Sequence, residues 1–192
     1  GQVSLYAKDG GLLYTKDDLG IEKFVGGYFD GWIPINIAPV YVSATSIRFE
    51  NIDLSGAFPI GTKIKFTQTT VKYFYVIASA YSGGHTNLTV TGGSDYSVAN
   101  AVISNFAYAH GIANGFPEWF RYYPTWLGST TNPSIGTGTL VGRFNIIDRM
   151  VKALIYIICT ASTTYGSGNY TFGLPIAPSV NERYLGQAIV EG

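Results

Sequence analysis

The sequence predicts an all-β fold, an antiparallel β-sandwich or jelly-roll-like domain preceded by a short N-terminal β-meander. Three observations lead to this prediction. Most segments alternate apolar with polar residues or run through β-branched and aromatic residues, as strands do. Glycine, asparagine, aspartate or proline ends nearly every such segment, as at Gly83-Gly84 and Gly92-Gly93. Only two short helical turns are expected, at residues 96–101 and 118–122.

The chain begins with a short phrase that it then repeats. Tyr-Ala-Lys-Asp starts at Tyr6 and Tyr-Thr-Lys-Asp starts at Tyr14, and turn-forming residues follow each copy. A period of eight residues corresponds to one strand plus one turn, so residues 1–27 are predicted to form a three-stranded meander. A sheet this small is marginal in water on its own. We therefore expect it to be covered, either by the rest of the chain or by the same meander of neighbouring subunits.

Residues 28–192 are predicted to form the sandwich domain. In "TKIKFTQ" lysines alternate with Ile64 and Phe66, which is typical of a strand with one buried face. "KALIYIICTA" is apolar on both faces and is predicted to be a central, covered strand. Its Cys159, the single cysteine, is expected to be a small buried hydrophobe and excludes an intrachain disulfide. The other predicted strands are "WIPINI", "VYVSATSIRFE", "VKYFYVIASAY", "TNLTVTG", "AVISNFAYA", "TLVGRFNIID", "YTFGLPI" and "GQAIVE".

The composition restricts the partners of the chain. Twelve basic and twelve acidic side chains give a net charge of zero, so a nucleic-acid partner is not expected. Residues 139–161 include Arg143, Asp148, Arg149 and Lys152, so membrane insertion is not expected either. Only 12% of the residues are charged, compared with ~25% in ordinary soluble domains. Such a surface indicates contact with partner subunits or with a neutral ligand such as sugar, and charge depletion at interface cores favours subunits.

The sequence predicts no catalytic residues, no metal site and no cofactor. The two histidines, His85 and His110, are expected to be turn or surface residues, and with one cysteine they are too few for the usual zinc site. The Gly-x-Ser-x-Gly pattern of acyl-transfer enzymes is absent. The enzymatic alternative is a hydrolase whose carboxylates, such as Asp95 and Glu118, are brought together only by the fold.

Residues 111–128, "GIANGFPEWFRYYPTWLG", contain the densest group of aromatic side chains. Tyr122, Tyr123 and Trp126 are the candidate ligand-binding residues, a platform on which the apolar faces of sugar rings would stack. The alternative is that such rings close one end of the sandwich, each burying ~150–250 Å². A core position is favoured for the three others: Phe116, Trp119 and Phe120.

The opening segment "GQVSLYAKDGGLLYTKDDLGIEKF" resembles the stalk or neck segments of tailed-bacteriophage fibre proteins, which carry two successive Leu-Tyr-x-Lys arms. The body resembles a phage or prophage structural-protein family with the same order of landmarks. Those landmarks are "SATSIRFENIDLSGAFPIGTKIKFTQTTVKYFYVIASAY", "TNLTVTGG", "GFPEWF", "GRFNI" and "YTFGLPI". "ALIYIICTA" departs from the pattern because it is more apolar than expected of an exposed domain, which indicates a buried subunit interface.

The resemblance implies a non-enzymatic virion structural protein, a fibre, spike or capsid-appendage domain on the surface of the phage particle. It also implies a homotrimer that contacts other virion proteins and recognises a host receptor, with a cell-surface glycan as the candidate. The alternative is a carbohydrate-binding, lectin-like module that uses exposed aromatic side chains and acts independently of a virion.

Overall fold

The computed structural model describes residues 3–8, 12–16, 18–20, 22–26 and 30–177. These residues form antiparallel strands and one short 3₁₀ turn at Ser55–Ala57, which confirms the predicted all-β class. The strands are β1 Ser4–Lys8, β2 Leu12–Lys16, β3 Glu22–Gly26, β4 Ile33–Pro34, β5 Val40–Ser43, β6 Ser46–Glu50, β7 Lys63–Thr67, β8 Val71–Ser82, β9 His85–Thr91, β10 Ser104–Ala109, β11 Phe120–Tyr122, β12 Trp126–Gly128, β13 Thr139–Ile147, β14 Met150–Ile158 and β15 Tyr170–Phe172.

The three N-terminal strands form the predicted meander, in the order β1-β2-β3. The repeated phrase places equivalent residues side by side, since Tyr6 pairs with Tyr14 and their ring centroids lie 6.2 Å apart. Leu5, Leu13 and Val25 are exposed. The predicted domain boundary at residue 27 and the predicted strand "GQAIVE" lie outside the described residues, so both stay predictions.

The largest sheet has seven strands in the order β4-β10-β7-β8-β9-β6-β5. β10 and β6 are four places apart, which would separate them by about 19 Å in a flat sheet with ~4.8 Å between strands. Nevertheless Phe106 of β10 and Phe49 of β6 meet edge to face, with ring centroids 5.1 Å apart. The sheet must therefore curl around its own core in the manner of a partly closed barrel.

Strict alternation along the strands supplies this core. Ile64 and Phe66 of β7 are fully buried, as predicted. Lys63 and Lys65, which alternate with them, are half-buried on the opposite face. Phe58, which follows the 3₁₀ turn, stacks on Phe49 at 5.6 Å and closes the core from outside the sheet. The remaining buried members come from β6, β8, β9, β10 and the loop before β10: Ile47, Phe74, Val76, Leu88, Val90, Val98, Ile103 and Phe106.

The opposite face of β8 is covered by a second sheet, with the strand order β11-β13-β14. Phe120 of β11 and Phe144 of β13 are fully buried against Tyr75 of β8. The ring centroids of Phe120 and Tyr75 are 5.5 Å apart, and those of Phe120 and Phe144 are 5.9 Å apart. A two-stranded ribbon pairs β12, which lies between β11 and β13 in the chain, with β15, which comes after β14.

Three expectations from the sequence are wrong. "KALIYIICTA" provides β14, which among the described residues is an edge strand of the second sheet and not a central covered strand. Cys159 is exposed and not buried. Neither predicted helical turn forms: residues 120–122 are strand β11, and residues 96–101 contain a β-bridge between Tyr96 and Gly92 followed by irregular chain. β-sheet pairing overrides the weak local preference in both segments.

Gly93 allows the two large sheets to approach each other. Its φ of +61° suits glycine, and a Cβ at this position would lie 2.1 Å from the carbonyl oxygen of Arg121. The next residue, Ser94, donates its backbone N–H to that same oxygen at 2.8 Å. The carboxylate of Asp95 accepts the backbone N–H of Arg121, also at 2.8 Å.

We expect Gly93→Ala to lower the free energy of unfolding by about 2–3 kcal/mol, because backbone strain and the clash with β11 add together. Gly84→Ala is the matched control: its φ is +82° but a Cβ there meets no atom within 4 Å. In the control, the strain of a positive φ alone should lower the free energy of unfolding by about 1 kcal/mol. Urea unfolding of the two variants measures the difference, and equal losses would contradict the close approach at Gly93.

Candidate functional site

The three predicted platform residues do not form one surface. Tyr122 is only 7% exposed and packs in the core against Phe144, so it is unsuited to contact a ligand at the surface. Burial raises the pKa of its hydroxyl. Tyr123 is 74% exposed because it follows Tyr122 on the opposite side of the chain. Trp126 is half-buried on β12, beyond Pro124.

Trp126 belongs instead to an aromatic cluster on the β12–β15 ribbon, which we call the aromatic ribbon face. Its cross-strand partner is Phe172, and the two rings stack with an interplanar angle of 12° and centroids 6.1 Å apart. Tyr170 and Tyr165 meet the indole edge to face at 5.6 Å and 6.4 Å. Tyr165, Tyr170 and Phe172 are all exposed. The result is a continuous group of four rings at the surface.

Hydroxyl groups border the aromatic ribbon face and hold its two loops together. The hydroxyls of Thr131 and Ser167 are 2.6 Å apart, and the backbones of these two residues form a β-bridge. Ser129 Oγ accepts the backbone N–H of Asn169 at 2.9 Å. Asn132 Oδ1 accepts the backbone N–H of Gly128 at 3.2 Å. These loops therefore place short polar, uncharged groups beside the rings.

The aromatic ribbon face contains two polar groups, the indole N–H of Trp126 and the hydroxyl of Tyr165. The indole Nε1 of Trp126 is buried and has no hydrogen-bond partner among the described residues. A hydrogen bond with the Cys159 side chain raises the pKa of the Tyr165 hydroxyl, with the nearby thiol charge and slight desolvation as further causes.

The second candidate surface is the outer face of β14, which we call the aliphatic face. Met150, Leu154, Tyr156 and Ile158, with Lys152 among them, alternate with inward residues and are exposed, Leu154 by 52% and Tyr156 by 59%. Ile147 lies opposite Met150 on the same side and is also exposed. Together the exposed parts of these five apolar side chains have an area on the order of 600 Å². The largest apolar patch on a typical monomer is ~300–600 Å², so this face is at the upper limit.

β14 also leaves one edge unpaired among the described residues, since its strand partner there is β13 alone. Exposed sheet edges present unsatisfied N–H and C=O groups, and soluble proteins usually shorten such edges or protect them with charges. β14 is nine residues long and carries a single charge, Lys152, whose Nζ lies 5.5 Å from the ring centroid of Trp119. The usual protection of an edge is therefore reduced to one lysine.

Two arginines flank the aliphatic face. Arg121 of β11 and Arg143 of β13 are cross-strand partners, both are exposed, and neither has an ion-pair partner among the described residues. Leu154 lies next to Arg143 in the same row. Like charges in direct opposition destabilise a sheet slightly, so this pair would gain from a carboxylate supplied by another molecule.

Several other ionisable groups make local contacts. Asp95 binds the backbone of Arg121, and Glu50 contacts both Arg48, at 2.7 Å, and His85. The hydroxyl and N–H of Ser55 lower the pKa of the Asp53 carboxyl. Within the part of the chain that is described, no three His, Cys, Asp or Glu side chains are grouped as metal ligands would be. The same part contains no helix with the length and apolarity to cross a membrane.

No protein-family model, curated protein or solved structure matches this chain. Its function is therefore inferred from the two surfaces and from the sequence motifs.

Proposed function

We propose that the chain is a non-enzymatic, self-associating structural domain of a phage virion, from a fibre, spike or capsid appendage. The working assembly is a homotrimer, the usual state of the fibres that residues 1–24 resemble. In that assembly the aliphatic face of each copy is covered by a sister copy, and other virion proteins hold the assembly on the particle surface.

The observation that carries this proposal is the combination of an apolar face and an open edge on one strand. β14 presents Leu154, Tyr156 and Ile158 to solvent and leaves its backbone edge unpaired among the described residues. Burial of apolar surface contributes about 25 cal/mol per Å², so a face on the order of 600 Å² would supply a large driving force for association. Strand addition at the edge would satisfy the backbone groups at the same time.

The meander supports the proposal independently. Its strands pair with one another within the described residues, and Leu5, Leu13 and Val25 are exposed. A three-stranded sheet of five-residue strands is barely stable unless something packs on it. Sister meanders around a common axis would bury these side chains, which explains why the chain repeats the same strand at its start.

Sedimentation equilibrium at micromolar concentration tests the proposal. We expect a single species with three times the mass of one chain. A stable, folded monomer throughout the micromolar range would overturn the proposal, and a dimer would retain self-association but refute the trimer.

A further inference from the structure

We propose that the aromatic ribbon face is a binding site for a neutral oligosaccharide. The site consists of Trp126, Tyr165, Tyr170 and Phe172 with the hydroxyl-bearing loops beside them. This inference is independent of the trimer, because all of these residues belong to one chain and are arranged within it.

The rings have the arrangement that sugar stacking requires. A pyranose has a face of C–H bonds that packs on the electron-rich face of an aromatic ring, while its hydroxyls point sideways. The near-parallel pair of Trp126 and Phe172 and the edge-on rings of Tyr165 and Tyr170 create a surface of several rings in contact. Such a surface can accommodate more than one sugar unit along the ribbon.

The electrostatics select a neutral ligand. Residues 122–142 and 153–181 contain no charged side chain, and they supply both ribbon strands and both loops. An anionic sugar would lose hydration at this site without gaining a cation. The short hydroxyls of Thr131, Ser167 and Ser129 can exchange hydrogen bonds with sugar hydroxyls at little cost in side-chain entropy.

Trp126 contributes its ring and not its N–H, because the indole Nε1 is buried beneath the surface. The polar contacts therefore come from the loop hydroxyls and from the phenol groups of Tyr165 and Tyr170, which are exposed. The face of β14 carries Lys152 and lies beside Arg143, whereas the ribbon has no charged side chain. This difference in charge separates the surface suited to a sister copy from the surface suited to a neutral sugar.

The test is a titration with defined probes. Neutral hexasaccharides of glucose, N-acetylglucosamine, galactose and mannose are titrated against the full chain by calorimetry, with a galacturonic-acid hexasaccharide as the anionic comparison. We expect saturable binding to at least one neutral probe and weaker binding to the anionic one. Tyr165→Ala and Tyr170→Ala should each weaken binding by about tenfold or more, since each removes one ring of the surface.

Tyr81→Ala is the matched control. Tyr81 is 47% exposed at the end of β8, against 45% for Tyr170, and it lies on a different sheet. The control should bind like the wild type. Absence of binding to all neutral probes, preference for the anionic probe, or equal losses for Tyr81→Ala and Tyr170→Ala would each overturn the site. If Tyr170→Ala instead reduces the mass of the assembly, the aromatic ribbon face is an association surface and the sugar proposal is wrong.

Failure of this site and failure of the trimer are distinguishable. A monomeric variant such as Leu154→Glu should retain sugar binding, because it leaves the ribbon unchanged. Loss of binding in that folded monomer would show that the site needs a sister copy and would overturn its assignment to a single chain.

Discussion

Leu154→Glu is expected to convert the assembly into a folded monomer, with an association constant at least about a hundredfold lower. The side chain is 52% exposed in the single chain, so glutamate is tolerated there. In an interface the same carboxylate would be desolvated, and the guanidinium of Arg143, its cross-strand neighbour, would offset only part of that cost. Sedimentation equilibrium gives the mass and far-UV circular dichroism shows that the strands remain.

Val71→Glu is the control for a new carboxylate on an exposed strand residue. Val71 is 45% exposed at the start of β8, in the seven-stranded sheet and not in the sheet of β14. The assembly formed by this variant should have the same mass as the wild-type assembly. If both variants dissociate, general charge repulsion is responsible, and if neither dissociates, β14 is not the association surface.

Phe120→Ala is expected to lower the free energy of unfolding by about 3–5 kcal/mol, the cost of removing a large ring from a closed core. Phe120 is fully buried where the second sheet packs on β8. Its ring contacts those of Tyr75, Tyr96 and Phe116 at centroid distances between 5.5 and 6.1 Å. The substitution therefore leaves a cavity between the two sheets, and the surrounding rings are too constrained to fill it.

The measurement is urea unfolding in the Leu154→Glu background, because the apparent stability of an oligomer depends on its concentration. Tyr123→Ala is the control: that tyrosine is 74% exposed, and its loss should change the free energy by less than about 0.5 kcal/mol. A loss below about 1.5 kcal/mol for Phe120→Ala would contradict the packing of the second sheet on β8.

The strands of the curled sheet could be predicted because their pattern is local. In β7 each apolar residue alternates with a lysine, so the buried face is evident from five residues. The repeated phrase of the meander likewise fixes a strand and a turn by its period. The curl of the seven-stranded sheet has no such signal, because the contact between Phe49 and Phe106 depends on a strand order set by tertiary pairing.

β14 shows where periodicity fails. An uninterrupted apolar run is typical of a strand covered on both faces, and among the described residues β14 is covered on one face only. The sister copy that we propose would cover its other face. The sequence predicts a helical turn at residues 118–122 because the three-residue strand there, between two prolines, is too short to show a period.

The proposed sugar site could be predicted only in part from the sequence. Trp126 was identified from the aromatic-rich segment, but Tyr165, Tyr170 and Phe172 lie about forty residues later and join it only through the pairing of β12 with β15. The sequence predicts that Tyr122 belongs to an exposed platform, but its side chain is in the core. Neighbouring residues on a strand point to opposite sides, and the sequence does not reveal which side is the core. The sequence did contain one signal that connects the two segments of this site: both lie in long stretches without charged residues, on either side of Arg143 and Lys152.

Hydrogen–deuterium exchange along β14 tests the association surface most directly. The amides of residues 150–158 are compared between the wild-type assembly and the monomeric Leu154→Glu variant, with β7 as the internal reference. We predict that these amides exchange at least about tenfold more slowly in the assembly, while β7 exchanges at the same rate in both. Equal exchange along β14 in the two proteins would contradict the proposal that sister copies cover this strand.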